Sequence, residues 1–231
     1  MVNLNQETHL KVSYVVKYLL ALCLLSLSVI FARADTIPDV YYGTQFHYGF
    51  IIPHSKSIEA LSHTNPVGLE ISRNKLHTSF NKWKVFNTYW TSGFEARYFN
   101  YQNPTVLGGV FDVTMYAEPV LKKCGRFLLT IRGGTGICYH TKIYDPDENP
   151  LNLFFSSPLS FPLYVDLRFK YRITDRTLLT LSGCYNHISN GGIKLPNKGM
   201  NFPTVALGLE QFRMNFPFME QQSPSFRSRC L

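Results

Sequence analysis

From Tyr42 onward the chain alternates. Tyr42, Thr44, Phe46, Tyr48, Phe50 and Ile52 share one parity, with Gly43, Gln45, His47 and Gly49 between them. The same period returns at Val67, Leu69 and Ile71, and at Trp90, Phe94, Ala96 and Tyr98. It appears again at Leu107, Phe111, Val113, Met115 and Ala117, and at Phe127, Leu129 and Ile131. Its sharpest form sets Leu163, Val165, Leu167, Phe169, Tyr171 and Ile173 against Tyr164, Asp166, Arg168, Lys170 and Arg172. Successive side chains of a strand point to opposite faces, so each stretch predicts a strand with one apolar and one polar face. Asp166, Arg168, Lys170 and Arg172 cannot all face a dry sandwich core, because an unpaired buried charge is too costly. Apolar residues outside and polar residues inside, on strands of about ten residues, is the pattern of a transmembrane β-barrel.

Eight such stretches are predicted, near 42–53, 66–73, 88–100, 104–118, 125–133, 161–173, 177–188 and 203–212. The expected fold is therefore all-β, an eight-stranded antiparallel transmembrane barrel. An even count closes with both termini on one side, and closure leaves no unpaired strand edge in lipid. The competing architecture is a soluble exported sandwich or lipocalin-like barrel. With the N-terminus in the periplasm, the long connections at 134–160 and 189–202 fall on the cell exterior, and the short ones at 119–124 and 174–176 fall inside. The linker around 74–87 is long for the inner side.

The N-terminus departs from this pattern. Lys11 and Lys17 precede an apolar run from Tyr18 to Phe31, followed by Ala32-Arg33-Ala34. That is the layout of a secretory signal peptide over 1–34, and the run is shorter than the roughly 20 residues a spanning helix needs. The barrel is then assigned to 35–212 and a polar periplasmic tail to 213–231. No later segment is apolar enough for a spanning helix. Losing 1–34 removes three basic residues and one acidic residue, which lowers the formal charge from +8 to +6. A basic surface on an exported protein suits anionic lipid headgroups. No nucleic-acid motif or aromatic-interleaved basic run is present. Cys124, Cys138, Cys184 and Cys230 remain, without CxxC spacing, so neither a zinc site nor a disulfide framework is indicated. Cys124 and Cys138 fall at opposite ends of the fifth strand, too far apart to bridge.

The candidate chemistry lies in Asn186–Asn201. In the seventh strand Leu179, Leu181, Gly183, Tyr185, His187 and Ser189 share a parity, opposite Leu178, Thr180, Ser182, Cys184 and Asn186. The leucine face is the lipid face, so His187 and Ser189 belong to the barrel's outer wall near its external rim. Asn201 has the lipid-facing parity of Val205, Leu207 and Leu209 on the next strand. Polar groups facing lipid are costly unless they pair or act. Together they suggest acyl transfer, with Ser189 as nucleophile, His187 as base and Asn201 orienting the imidazole. Backbone amides in Asn190-Gly191-Gly192 are candidate oxyanion donors, and Lys194 and Lys198 could meet lipid phosphates.

These residues carry a resemblance. His187-x-Ser189-Asn190-x-Gly192 followed by Lys194-x-Pro196-Asn197-x-Gly199 resembles the active-site signature of the PagL-type lipid A 3-O-deacylases, which are eight-stranded outer-membrane barrels. The close match covers 186–201, and the strand pattern extends it loosely over 42–212. The resemblance implies that His187 is the base, Ser189 the nucleophile, and Asn190 and Gly192 the oxyanion residues. It also implies a Gram-negative outer-membrane location, lipid A or lipopolysaccharide as substrate, hydrolysis of the 3-hydroxyacyl ester at position 3, and no metal or cofactor. The family's third member is a glutamate where this chain has Asn201. An asparagine can hold a histidine's tautomer but cannot offset the imidazolium charge. The alternatives are a non-catalytic structural or adhesion barrel, and a phospholipase-like barrel.

Overall fold

A computed structural model describes residues 40–78 and 85–215. The proposed signal peptide (1–34) and all but the first residues of the proposed tail (213–231) lie outside the described residues.

Eight antiparallel strands close on themselves in sequence order: β1 (Val40–Gly49), β2 (Val67–His77), β3 (Trp90–Asn103), β4 (Gly108–Cys124), β5 (Phe127–His140), β6 (Leu159–Arg172), β7 (Thr177–Ser189) and β8 (Met200–Phe212). Closure is made by β1 against β8, with Thr44 opposite Leu209. One end carries the connections 50–66, 104–107, 141–158 and 190–199, and the other carries the tight turns at 125–126 and 173–176.

The predicted parity is the observed one. Phe46, Phe94, Val113, Leu163, Val165, Phe169, Leu181, Val205 and Leu207 are exposed on the outer wall. Gln45, Glu70, Glu95, Asp112, Arg132, Asp166, Arg168, Lys170 and Glu210 are buried inside. Large apolar side chains ringing a barrel whose mid-strand charges are buried inside, with Arg73, Lys75 and Lys122 exposed only towards the turn end, fit hydrocarbon outside, not water.

The interior is filled, because every buried charge has to find a partner. The Arg97 guanidinium takes Asp112 in a two-point grip at 2.9 and 3.1 Å. Arg132 donates to Glu118 at 2.8 Å, Glu95 at 2.8 Å and Glu70 at 3.2 Å. Lys170 reaches both oxygens of Glu210 at 2.9 Å. Tyr116 lies under the Arg132 guanidinium, 3.7 Å from it, and its hydroxyl donates to Asn74.

Several strand ends differ from expectation for identifiable reasons. β5 runs on to His140 instead of stopping near 133, because its glycines make room for neighbours: a Cβ on Gly134 would lie 2.5 Å from the Tyr164 ring. β4 absorbs the predicted turn at 119–124. Pro119 lacks a ladder donor, but a register shift between Val120 and Lys122 restores pairing down to Cys124. β1 stops at Gly49, and Ile51 turns into the barrel mouth, where it is buried. Leu107, expected on the outer wall, lies in the turn before β4 and is also buried there. These residues join Ile58, Phe99, Tyr101, Phe154, Phe155, Ile188, Met200 and Phe202 in an apolar plug that caps the lumen at the loop end. Cys124 is disulfide-bonded, whereas Cys138 and Cys184 are buried free thiols.

Candidate active site

The site is built where β7 and β8 meet the loop end. Antiparallel register places His187 opposite Asn201, and both point to the outer wall. The side chains meet there, with His187 Nδ1 2.7 Å from Asn201 Oδ1. An amide oxygen only accepts, so Nδ1 carries the hydrogen and Nε2 is left with its lone pair, the form a general base needs. Asn201 is fixed on its other edge too, since its backbone oxygen accepts from Ile52 N at 2.8 Å. Behind the wall Asn186 pins the same register from inside, donating to Phe202 O at 3.1 Å and accepting from Arg97 at 3.1 Å.

Ser189 ends β7, two residues from His187 on the same face. Its Oγ accepts from Asn197 Nδ2 at 3.0 Å and from Gly191 N at 3.1 Å. A direct bond to the His187 ring is not among the hydrogen bonds of these described residues, but the two side chains flank one glycine. A Cβ on Gly199 would stand 3.3 Å from His187 Cε1 and 3.5 Å from Ser189 Cβ. The backbone there has φ +66°, so only glycine passes this point without strain or contact.

The expected oxyanion donors are engaged within the loop. Gly192 N donates to Asn190 Oδ1 at 2.9 Å, and Asn190 N reaches Asn197 Oδ1 at 3.4 Å. The Asn190 side chain also donates to Lys194 O at 2.9 Å and to Ser156 Oγ at 3.4 Å. Further clamps come from the 141–158 connection: Lys198 N bonds Leu153 O at 3.1 Å, and Gly199 N bonds Phe154 O at 3.3 Å. Lys194 and Lys198 are exposed, next to the exposed side chains of Ile193 and Leu195.

The wall beside the site is apolar. Phe161 lies opposite Ser189 and Leu163 opposite His187, both about half exposed, with Tyr185 next along β7. Sequence reasoning had singled out His187, Ser189, Asn190, Gly192 and Asn201, which all gather here. Asn197 and Gly199 belong to the Lys194-x-Pro196-Asn197-x-Gly199 signature, which by itself assigns them no contact, and Ser156 is marked by no local pattern. Among the described residues no group of three or more His, Cys, Asp or Glu side chains is arranged to hold a metal ion.

Fold and site together define a class: an outer-membrane-type β-barrel with a candidate serine–histidine pair on its lipid-facing wall. A family model described as lipid A 3-O-deacylase (PagL) matches residues 72–210, more than half of the chain, and the protein belongs to that family. The matched span runs from within β2 to within β8 and includes His187, Ser189, Asn190, Gly192, Asn197 and Asn201, whereas Ile52, which bonds the Asn201 backbone, lies before it. The fold is shared with solved barrels. The crystal structure of Neisserial surface protein A (NspA) aligns with a TM-score of 0.54 at 10% identity, covering 75% of this chain and 96% of that one. That of the outer membrane enzyme PagL aligns with a TM-score of 0.50 at 17% identity, covering 72% and 97%. No individual curated protein matches the chain at a significant level.

Proposed function

We propose that this protein is an outer-membrane esterase that hydrolyses the ester-linked 3-hydroxyacyl chain at position 3 of lipid A, with Ser189 as nucleophile, His187 as base and Asn201 orienting the imidazole. The observation that carries the reading is the 2.7 Å contact between His187 Nδ1 and Asn201, beside Ser189 on the outer wall of a chain in this family. In the first half-reaction His187 Nε2 takes the hydroxyl proton as Ser189 Oγ bonds to the ester carbon. The tetrahedral intermediate collapses, and the same proton passes from His187 to the departing sugar oxygen. Water then gives a proton to His187 and attacks the acyl-enzyme, releasing the 3-hydroxy fatty acid and restoring Ser189.

The oxyanion forming on the ester needs donors, and Asn190 N and Gly192 N are the assigned ones. The 3.4 Å bond at Asn190 N is long, so a substrate oxygen displaces it at little cost. Gly192 N must exchange its Asn190 side-chain partner for substrate. Phe161, Leu163 and Tyr185 offer the departing acyl chain an apolar bed, while exposed Lys194 and Lys198 suit the anionic headgroup. The signal peptide proposed over 1–34 provides the export this location requires.

The test is the mass profile of lipid A from Gram-negative cells expressing the chain. Loss of one 3-hydroxyacyl group from position 3 is expected; an unchanged profile means a non-catalytic barrel, and lysophospholipid in its place means a phospholipase.

Asn201 gives a further expected outcome. An asparagine orients His187 without balancing its charge, whereas a carboxylate would do both. Asn201→Glu is therefore expected to raise kcat by about tenfold with KM little changed, the range set by a strengthened charge-assisted hydrogen bond. Steady-state kinetics on purified lipid A in detergent would measure it, and an equal or lower kcat would show that Asn201 is not a weakened third member.

A further inference from the structure

We propose that Ile193 and Leu195, at the tip of the 190–199 connection, form an interfacial anchor that enters the acyl region of the outer leaflet and seats this loop against its lipid substrate. The depth at which the anchor works rests on the reading of Ser189 as nucleophile; the contact with lipid does not.

Ile193 is 78% exposed and Leu195 75%, and no other large apolar side chain among the described residues exceeds 62%. Even the lipid-facing wall beside them is less bare, with Phe161 at 51% and Leu163 at 57%. Two neighbouring apolar side chains this open to water are costly unless something apolar covers them. The backbone holds them out. Lys194 O accepts from Asn190 Nδ2 at 2.9 Å and from Ser156 Oγ at 2.7 Å, and both donors belong to buried residues. With the middle carbonyl drawn inward, the apolar side chains before and after it stay outside. Ile193 N is tied to Asn190 O at 3.4 Å. Gly191 and Gly192, at φ +69° and +80°, make the reversal that other residues adopt only with strain.

Position decides what covers the tip. Both of its ends are bonded to one atom, Ser189 Oγ, which accepts from Gly191 N at 3.1 Å and from Asn197 Nδ2 at 3.0 Å. Ser189 has the parity of the lipid-facing wall and lies opposite Phe161. The tip therefore hangs from the edge of a surface that already faces hydrocarbon, and it extends that surface. A Ser189 that meets an ester stands where the acyl chains leave the sugar. Ile193 and Leu195 then enter the chains, while the exposed Lys194 between them keeps its ammonium among the headgroups. Gly192 N, an assigned oxyanion donor, directly precedes Ile193, so anchoring Ile193 fixes that donor's height relative to the ester.

The full-length chain would be placed in vesicles of phosphatidylethanolamine, phosphatidylglycerol and lipid A, and its closure checked by heat-dependent gel migration. A nitroxide attached at Ile193→Cys or Leu195→Cys reports its depth, because oxygen concentrates among acyl chains and a nickel chelate stays in water. Cys138 and Cys184 are buried, and the unaltered chain gives the labelling background. Leu163→Cys on the wall and Glu148→Cys in the 141–158 connection mark the two extremes. The oxygen-to-nickel collision ratio at 193 and 195 is expected to match Leu163→Cys. A ratio nearer to Glu148→Cys at both positions would overturn the proposal, and so would shielding from both reagents, the mark of a protein cover. Ile193→Gln with Leu195→Gln is expected to raise KM for lipid A about tenfold with kcat within about threefold, as for lost apolar contact that serves binding. Ile193→Leu with Leu195→Ile should keep KM near that of the unaltered chain. A KM within about threefold in the folded double glutamine variant would overturn the role in seating substrate. Acyl depth at both labels in a chain that leaves lipid A intact would overturn the esterase reading and keep the anchor.

Discussion

Ser189→Ala is expected to leave a folded barrel that no longer removes an acyl chain from lipid A, with the rate down by about 10⁴- to 10⁶-fold. The barrel survives because Ser189 closes β7 on the outer wall and contributes nothing to the lumen or the plug. The chemistry does not, since the proposed nucleophile is gone. His187→Ala should cost a similar amount, and the double variant no more than either alone, because a nucleophile and its base act as one unit. Lipid A mass spectra from expressing cells, followed by kinetics on the purified variants, would measure this. A Ser189→Ala loss of about tenfold or less would be too small for a missing nucleophile and would remove Ser189 from that role.

The second large effect concerns stability. Arg132 is fully buried and donates to Glu118, Glu95 and Glu70, which come from three different strands. Arg132→Met preserves bulk and removes the charge, leaving three carboxylates crowded in a sealed interior. Breaking a buried network from one side costs about 3–5 kcal/mol, far more than deleting an exposed ion pair. Urea unfolding in lipid vesicles should show a loss of that order, and Glu118→Gln added to Arg132→Met should recover part of it. A change below about 1 kcal/mol would mean that the carboxylates tolerate each other without the guanidinium.

The two sites were unequally legible in the amino-acid order. Strand parity was plain in β6, where Asp166, Arg168 and Lys170 alternate with Val165, Leu167 and Phe169 and all land on the expected faces. The same rule placed His187 and Ser189 outside, because a single period of two links them to Leu179 and Leu181. Strand ends were harder. The Gly133-Gly134 pair looks like a break in β5, yet Gly134 is small because Tyr164 lies across it. Pro119 looks like the end of β4, yet a bulge carries the pairing past it. Nothing periodic marks the loops, so Leu107 was placed with the outer wall by parity alone, whereas the chain turns there and buries it in the plug. The contacts of Asn197, and Ser156 altogether, are hidden for the same reason. Their partners, Ser189 and Asn190, are reached only after the 190–199 connection folds back and docks on 141–158.

The filled lumen has a kinetic consequence. Because ion pairs occupy the barrel from wall to wall and the plug closes its mouth, neither lipid nor freed fatty acid has a route through the interior. On the proposed reading, substrate arrives and product departs sideways, within the plane of the leaflet. Encounter then depends on molecules per unit area of membrane, so diluting the lipid substrate with inert lipid would slow turnover while enlarging the aqueous volume would not.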